Sequence, residues 1–220
     1  MNKENTPAKA PGLRERQRAA RRQGILFAAG DLFEINGFEA TSLEDVAVKA
    51  ELSIPTIYSF FKSKQDLLLG LIEEDRYLSV PKLEALLEEL SDDPVAVFVE
   101  FGRIMFMHGY DFRHKKVWRE IMAASFRVSE DQNRYREMQQ VNGQYIRAAI
   151  DKLCDKGSLR ADLNRDSALR LLQNNLSRVF QLYILNEEMS VEEMMAMLQQ
   201  DLSTLMSGMR KYAGDKADWL

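Results

Sequence analysis

The 220-residue chain has one cysteine, Cys154, which excludes an internal disulfide and a cysteine-built metal cluster and suits a reducing compartment. Near a helix end it reads as a small apolar residue, with redox sensing as the sharper alternative. Histidine is almost as scarce. His108 and His114 flank Asp111, but a six-residue separation does not bring two histidines to one helix face as four would, so no metal site is expected. Also missing are a glycine-rich phosphate loop, a serine in a nucleophile elbow and a histidine near Cys154 in sequence, so the chain is expected to be neither an enzyme nor a cofactor carrier. Acidic clusters such as Glu73, Glu74 and Asp75 read as a solvated face. No uninterrupted apolar run reaches about 18 residues, and no charged segment leads into an apolar run with a small-residue cleavage site. A soluble, cytoplasmic protein with no membrane partner is the expectation. Strands of credible alternation and repeats of fixed period are absent as well.

What the chain does have is apolar content and uneven charge. Hydrophobic residues make up 45%, enough for a sizeable core. The net charge of −4 argues against a nucleic-acid partner only as an average. In the first 23 residues, Lys3, Lys9, Arg14, Arg16, Arg18, Arg21 and Arg22 face only Glu4 and Glu15, a surplus of five positive charges that leaves −9 for the remainder. Residues 1–13 have the composition of a flexible arm, and Arg14, Arg16 and Arg18 run from it into a helix. Such an arm is either a solvated tail or a segment that reaches into the minor groove of DNA.

The apolar periodicity is helical almost throughout, and the fold class is all-α. Ile25, Ala28, Ala29, Leu32 and Phe33 form one stripe of a first helix that Asn36-Gly37 stops. Thr41 or Ser42 caps a second, with Glu44 and Asp45 in its first turn and Leu43, Val46, Ala47 and Ala50 on its apolar face. Ser53 caps a third, barely two turns long, in which Pro55 is tolerated because a first-turn amide needs no internal partner. Ser63 caps a fourth through Leu67, Leu68, Leu71 and Ile72, which Pro81 is expected to kink or interrupt. Further on, Ser129–Gln132 matches a capping box, Gly157 ends the helix that follows, and two long helices close the chain, the second capped by Ser190 with Glu193 three residues on. The expected division is an arm at 1–13, a domain at 14–62, a larger helical domain at 63–212 and a tail at 213–220.

The short third helix is too short to persist alone. At about 100° per residue, Ile54 and Phe61 fall beside an inward Ile57, while Pro55, Ser59 and Lys62 point away, flanked by Thr56 and Tyr58. With the second helix and the turn at Glu51–Ser53 it makes a helix-turn-helix, a geometry that sends its second helix into the major groove. Pro55, Thr56 and Ser59 are then the base-reading candidates. Two helices and a tight turn also occur in proteins that never touch DNA.

The stretch Ile25–Leu68 closely resembles the N-terminal domain of the tetracycline-repressor (TetR) family of bacterial transcription regulators. The resemblance covers roughly residues 14–70 and is carried by the Ala-Ala and Leu-Phe of the first helix, Gly37-Phe38, Thr41-Ser42, Val46-Ala47, Ala50, Ser53, Thr56-Ile57-Tyr58, Phe61 and Lys64. It implies a small three-helix DNA-binding domain, a larger regulatory domain with a ligand cavity, and a homodimer held mainly by the last two helices. It implies phosphate contacts for Thr41, Ser42, Tyr58 and Lys64, and it supports base reading by Pro55, Thr56 and Ser59. Phe60 stands where the family commonly has His or Tyr, so no polar DNA contact is expected there. Glu51 replaces a frequent turn glycine, so the turn is expected to avoid a conformation that requires glycine.

By analogy of fold, Phe101, Met105, His108, Trp118, Met122, Phe126, Asn142 and Tyr145 are candidates to line a pocket for a small apolar or aromatic effector, although ordinary core packing also explains them. Leu172, Leu176, Val179, Leu198, Leu202 and Leu205 are expected at the dimer interface. The functional expectation is a ligand-responsive regulator, most simply a repressor bound to a palindromic operator. The alternative is a helical dimeric structural or interaction protein without an effector.

Overall fold

The computed structural model describes residues 12–107, 115–125 and 130–210. The expectations for residues 1–11 of the arm, for His108, Asp111, His114, Phe126 and the Ser129 capping box, and for the tail at 213–220 lie outside these. The described residues are helical with no strand among them: α1 (Leu13–Asn36), α2 (Leu43–Lys49), α3 (Ile54–Phe60), α4 (Lys64–Glu88), α5 (Pro94–Met107), α6 (Lys115–Ser125), α7 (Glu130–Asp155), α8 (Arg165–Leu185) and α9 (Val191–Ser207). The fold class is all-α, as the periodicity required. Two compact units divide between Leu67 and Leu68, in the first turns of α4.

The smaller unit is built around α1. Its stripe of Ile25, Leu26, Ala28, Ala29 and Phe33 is buried, and the Phe33 ring lies 5.1 Å from that of Phe38. Gly37, at φ +87°, ends the helix with its N–H donating to Phe33 O, a backbone angle that a side chain would strain. Ser42 is the cap of α2. Its Oγ accepts from Asp45 N–H at 3.0 Å, and Asp45 Oδ2 accepts from Ser42 N–H at 2.8 Å. Thr41 does something else: it is 1% exposed and donates its hydroxyl to Gly37 O and Leu32 O. Ser63 Oγ accepts from Asp66 N–H and so caps α4.

In the larger unit, α8 and α9 pack on each other and α9 on α5, with α6 and α7 against α8. Gly102 of α5 makes this approach possible, since a Cβ there would stand 2.4 Å from Leu198 Cδ2 and 3.2 Å from Leu176 Cδ2. Phe106, Trp118, Phe180 and Tyr183 form an aromatic cluster, with Trp118 edge-on to Phe180 at 5.2 Å. The buried Lys115 at the start of α6 donates to Asn186 O and Met189 O, both at 2.8 Å, and its ammonium lies 4.2 Å from the Tyr183 ring centroid, so it fixes the C-terminal end of α8. Ser190 and Glu193 form the capping box of α9.

Two expectations need correction here. Of the two effects expected of Pro81, a kink or an interruption, the interruption does not occur: α4 runs unbroken from Lys64 to Glu88. The proline is exposed, and the residue four before it, Tyr77, is 73% exposed, so water can serve the carbonyl that loses its donor, while buried Leu71, Ile72 and Leu83 anchor the helix on both sides. The dimer candidates Leu172, Leu176, Val179, Leu198 and Leu202 are each 2% exposed or less within the single chain. They are consumed by packing among α5, α8 and α9 and are not available to a partner; Leu205 is half-buried.

Candidate nucleic-acid interface

The turn between α2 and α3 starts with a backbone conformation that opposes the sequence expectation. Glu51 has φ +54°, the left-handed region the absence of glycine was expected to exclude. The reason is a closed hydrogen-bond pattern at the end of α2: Leu52 N–H donates to Ala47 O at 2.9 Å and Glu51 N–H to Val48 O at 3.2 Å, the two bonds of a Schellman motif. Their cooperation holds a glutamate where glycine would sit without strain.

Ser53 then caps α3, its Oγ accepting from Thr56 N–H at 3.3 Å and lying 2.7 Å from Thr56 Oγ1. Pro55 falls in the first turn as expected. Ile57 is fully buried and Phe61, at the C-terminal cap, is 4% exposed, so these two anchor the helix. Ile54 does not join them. It is 40% exposed, because in a seven-residue helix the first position overhangs the edge of the core. Pro55, Tyr58 and Ser59 are exposed and Thr56 is half-buried. Ser59 Oγ donates to Thr56 O at 2.7 Å, which leaves its lone pairs outward as acceptors.

A recess of about 540 Å³ adjoins this face, lined by Arg14, Gln17, Arg18 and Arg21 of α1 and by Thr56, Ser59 and Phe60 of α3. The α1 residues follow i, i+3, i+4, i+7, one helix face. Arg14 and Arg18 were foreseen; Arg16, two residues from each, is not in the lining. Gln17 and Arg21 were missed as site residues, although a first helix expected from about Arg14 already put them on the face of Arg14 and Arg18. The Arg18 guanidinium lies 5.4 Å from the Phe60 ring centroid and that of Arg22 5.5 Å from Phe61, so α1 is laid along α3 by two adjacent cation–π pairs.

Two of the residues expected at phosphates are engaged elsewhere. The Thr41 hydroxyl is turned into the unit and bonded to carbonyls, which corrects its expected outward contact. Lys64 Nζ donates to Phe38 O and Glu39 O, each at 2.9 Å, and lies 4.9 Å from the Phe38 ring centroid; it staples the α1–α2 loop and keeps one N–H for other use. Ser42 is half-buried and shares hydrogen bonds with Asp45, whose carboxyl those bonds hold below its ordinary range.

The effector candidates are scattered over three helices of the larger unit. Phe101 of α5 and Trp118 of α6 are buried, and Met105 and Met122 half-buried. Asn142 and Tyr145 of α7 are half-buried, with Tyr145 Oη donating to Glu84 Oε1 at 3.3 Å. Burial and the neighbouring Glu84 raise the Tyr145 phenol above its usual range. A groove of about 640 Å³ is lined instead by other residues of α7 and α8, among them Gln144, Arg147 and Gln173.

These features define an all-α chain with an N-terminal helix-turn-helix unit and a larger helical unit. Residues 25–71, within and just beyond the former, match the model of the family described as bacterial regulatory proteins, tetR family. The HTH-type transcriptional regulator RutR of Escherichia coli (strain K12) is 31% identical over 96 residues, 44% of this chain and 44% of that protein, so the chain spans less than half the length of the curated relative it matches. Among solved structures, a putative transcriptional regulator from Saccharomonospora viridis in complex with choline is similar at a TM-score of 0.72 and 19% identity, over 88% of this chain and all of that one. The transcriptional regulator FadR from Bacillus subtilis in complex with stearoyl-CoA is similar at 0.68 and 16%, over 84% and 98% of the two chains. At such identities these likenesses establish the fold shared by both units.

Proposed function

We propose that this chain is a sequence-specific DNA-binding transcription regulator, a repressor released from a palindromic operator by a small apolar or aromatic effector. The observation that carries the DNA-binding reading is the juxtaposition of α3, which turns Pro55, Thr56, Tyr58 and Ser59 outward, with the arginine-lined recess of α1. A major groove about 12 Å wide admits one helix, and small side chains at its N-terminal end permit close approach. The match to RutR supports the same reading. A purely structural helical protein gives this combination no task.

The effector belongs in the larger unit. Two fold neighbours hold small molecules, choline and stearoyl-CoA. In this chain, the Trp118 indole N–H is buried beside Phe180 and has no acceptor among the described residues, which suits an apolar ligand carrying one hydrogen-bond acceptor. Such a ligand releases DNA only if it binds the DNA-incompetent arrangement more tightly than the DNA-bound one. Homodimerisation would use the outward side of α8, where Leu171 and Leu185 are 48% and 57% exposed.

Selection from random duplexes at low salt tests the central claim. The expected result is a palindromic motif, with Ser59→Ala relaxing the preference at one position per half-site by about 1–3 kcal/mol. Binding that is salt-sensitive but indifferent to sequence would overturn it.

A further inference from the structure

We propose that Phe60 is a positioning residue for DNA binding, whose ring holds the Arg18 guanidinium at a fixed place in the recess between α1 and α3, ready to meet a phosphodiester. The inference rests on the DNA-binding reading above and assigns a task to a residue that has no polar atom of its own to offer DNA. Phe60 is half-buried on the last turn of α3, beside Thr56 and Ser59 in the lining of the recess. Its accessible face is covered by Arg18, 5.4 Å from the ring centroid, while Arg14 and Arg21 complete the cationic side of the same recess. An exposed arginine on the second turn of a helix ordinarily samples many rotamers, and an anion that binds it must first freeze them. Stacking on an aromatic face restricts the guanidinium plane before DNA arrives and leaves the N–H edge free, since the contact uses the face of the cation and hydrogen bonding uses its rim. The adjacent pair, Arg22 over Phe61, keeps the two helices in the register that this stack needs, because Phe61 is itself fixed in the core.

The test is a double-mutant cycle on the full chain against the duplex obtained by selection, with thermal unfolding to verify folding and a salt titration of each affinity. Phe60→Leu should weaken binding roughly two- to fivefold while Arg18 is present, the range of an exposed cation–π contact, and should cost nothing further in an Arg18→Ala background. Phe60→Tyr keeps the ring and should recover most of the affinity. Arg18→Lys, at an exposed position that tolerates change, keeps the charge but loses the planar stack, so it should bind more weakly with a similar salt slope. An equal loss from Phe60→Leu in both backgrounds, or no loss at all, would overturn the inference while leaving the regulator reading standing. Undiminished binding by Arg18→Lys would overturn it also where Phe60→Leu fails to fold. If the unmodified chain binds no selected duplex, both readings fall together.

Discussion

At the scale of single residues, Glu51 is where local preference and global structure disagree. A left-handed conformation costs a non-glycine residue about 1–2 kcal/mol, and here it is maintained by the two Schellman hydrogen bonds and by the need to aim α3 from a three-residue turn. Glu51→Gly should therefore stabilise the smaller unit by about 1 kcal/mol, the released strain outweighing the added freedom of the unfolded chain, and should leave DNA affinity nearly unchanged. Thermal unfolding followed by helical circular dichroism measures it; an unchanged or lower midpoint would mean that the strain is absorbed elsewhere in the turn. Thr41 and Lys64 show the converse: polar residues whose expected partners were outside the protein spend their hydrogen bonds on carbonyls of α1 and of the α1–α2 loop.

At the scale of elements, the caps were legible because they depend on neighbours three residues apart. Gly37, Ser53, Ser63 and Ser190 with Glu193 act as the sequence expects, and of the two caps it offered for α2 Ser42 is the one used, in a box with Asp45. The Ser42–Asp45 box makes the stability of α2 depend on pH. Hydrogen bonds from the Ser42 hydroxyl and N–H lower the Asp45 pKa in the folded state, so the contribution is fully present above the unfolded carboxylate value, near pH 4, and is lost as pH falls through the lower folded value. Asp45→Asn should flatten the acid limb of a stability-against-pH profile below pH 4 for the smaller unit; an unchanged limb would assign the acid sensitivity to other carboxylates. Pro81 marks the limit of element-level reading. One missing donor on a solvent-facing turn does not break a helix of 25 residues that is anchored on both sides of it.

At the scale of the whole molecule, the question is which apolar surface remains for a second copy. The leucines of the inward stripes are spent within the chain, so Leu202→Glu should unfold the larger unit by placing a charge in its core. Leu171→Glu and Leu185→Glu are expected to leave the fold intact and to shift a dimer toward monomer, with a parallel loss of affinity for a palindromic duplex. Sedimentation at micromolar concentration separates the cases. Variants at Leu171 and Leu185 that sediment as the unmodified chain does would move the interface off these positions.

The sequence by itself determined the helices, most of their ends, the helix-turn-helix and the likeness of residues 25–71 to the tetR family model, because periodicity, capping and tight turns are set by residues within a turn or two of one another. Tertiary structure decided what each buried stripe touches. Periodicity identifies an apolar face but not its occupant, and Leu172, Leu176, Leu198 and Leu202 satisfied the pattern of an interface and of a core equally; the packing of α5, α6 and α7 on α8 and α9 buries all four within the chain, Leu176 and Leu198 beside Gly102. The same holds for the recess. The arginines of α1 were visible in the chain, but the placement of Arg18 on Phe60, 42 positions later, depends on α1 and α3 being packed together, a relation that no local pattern encodes.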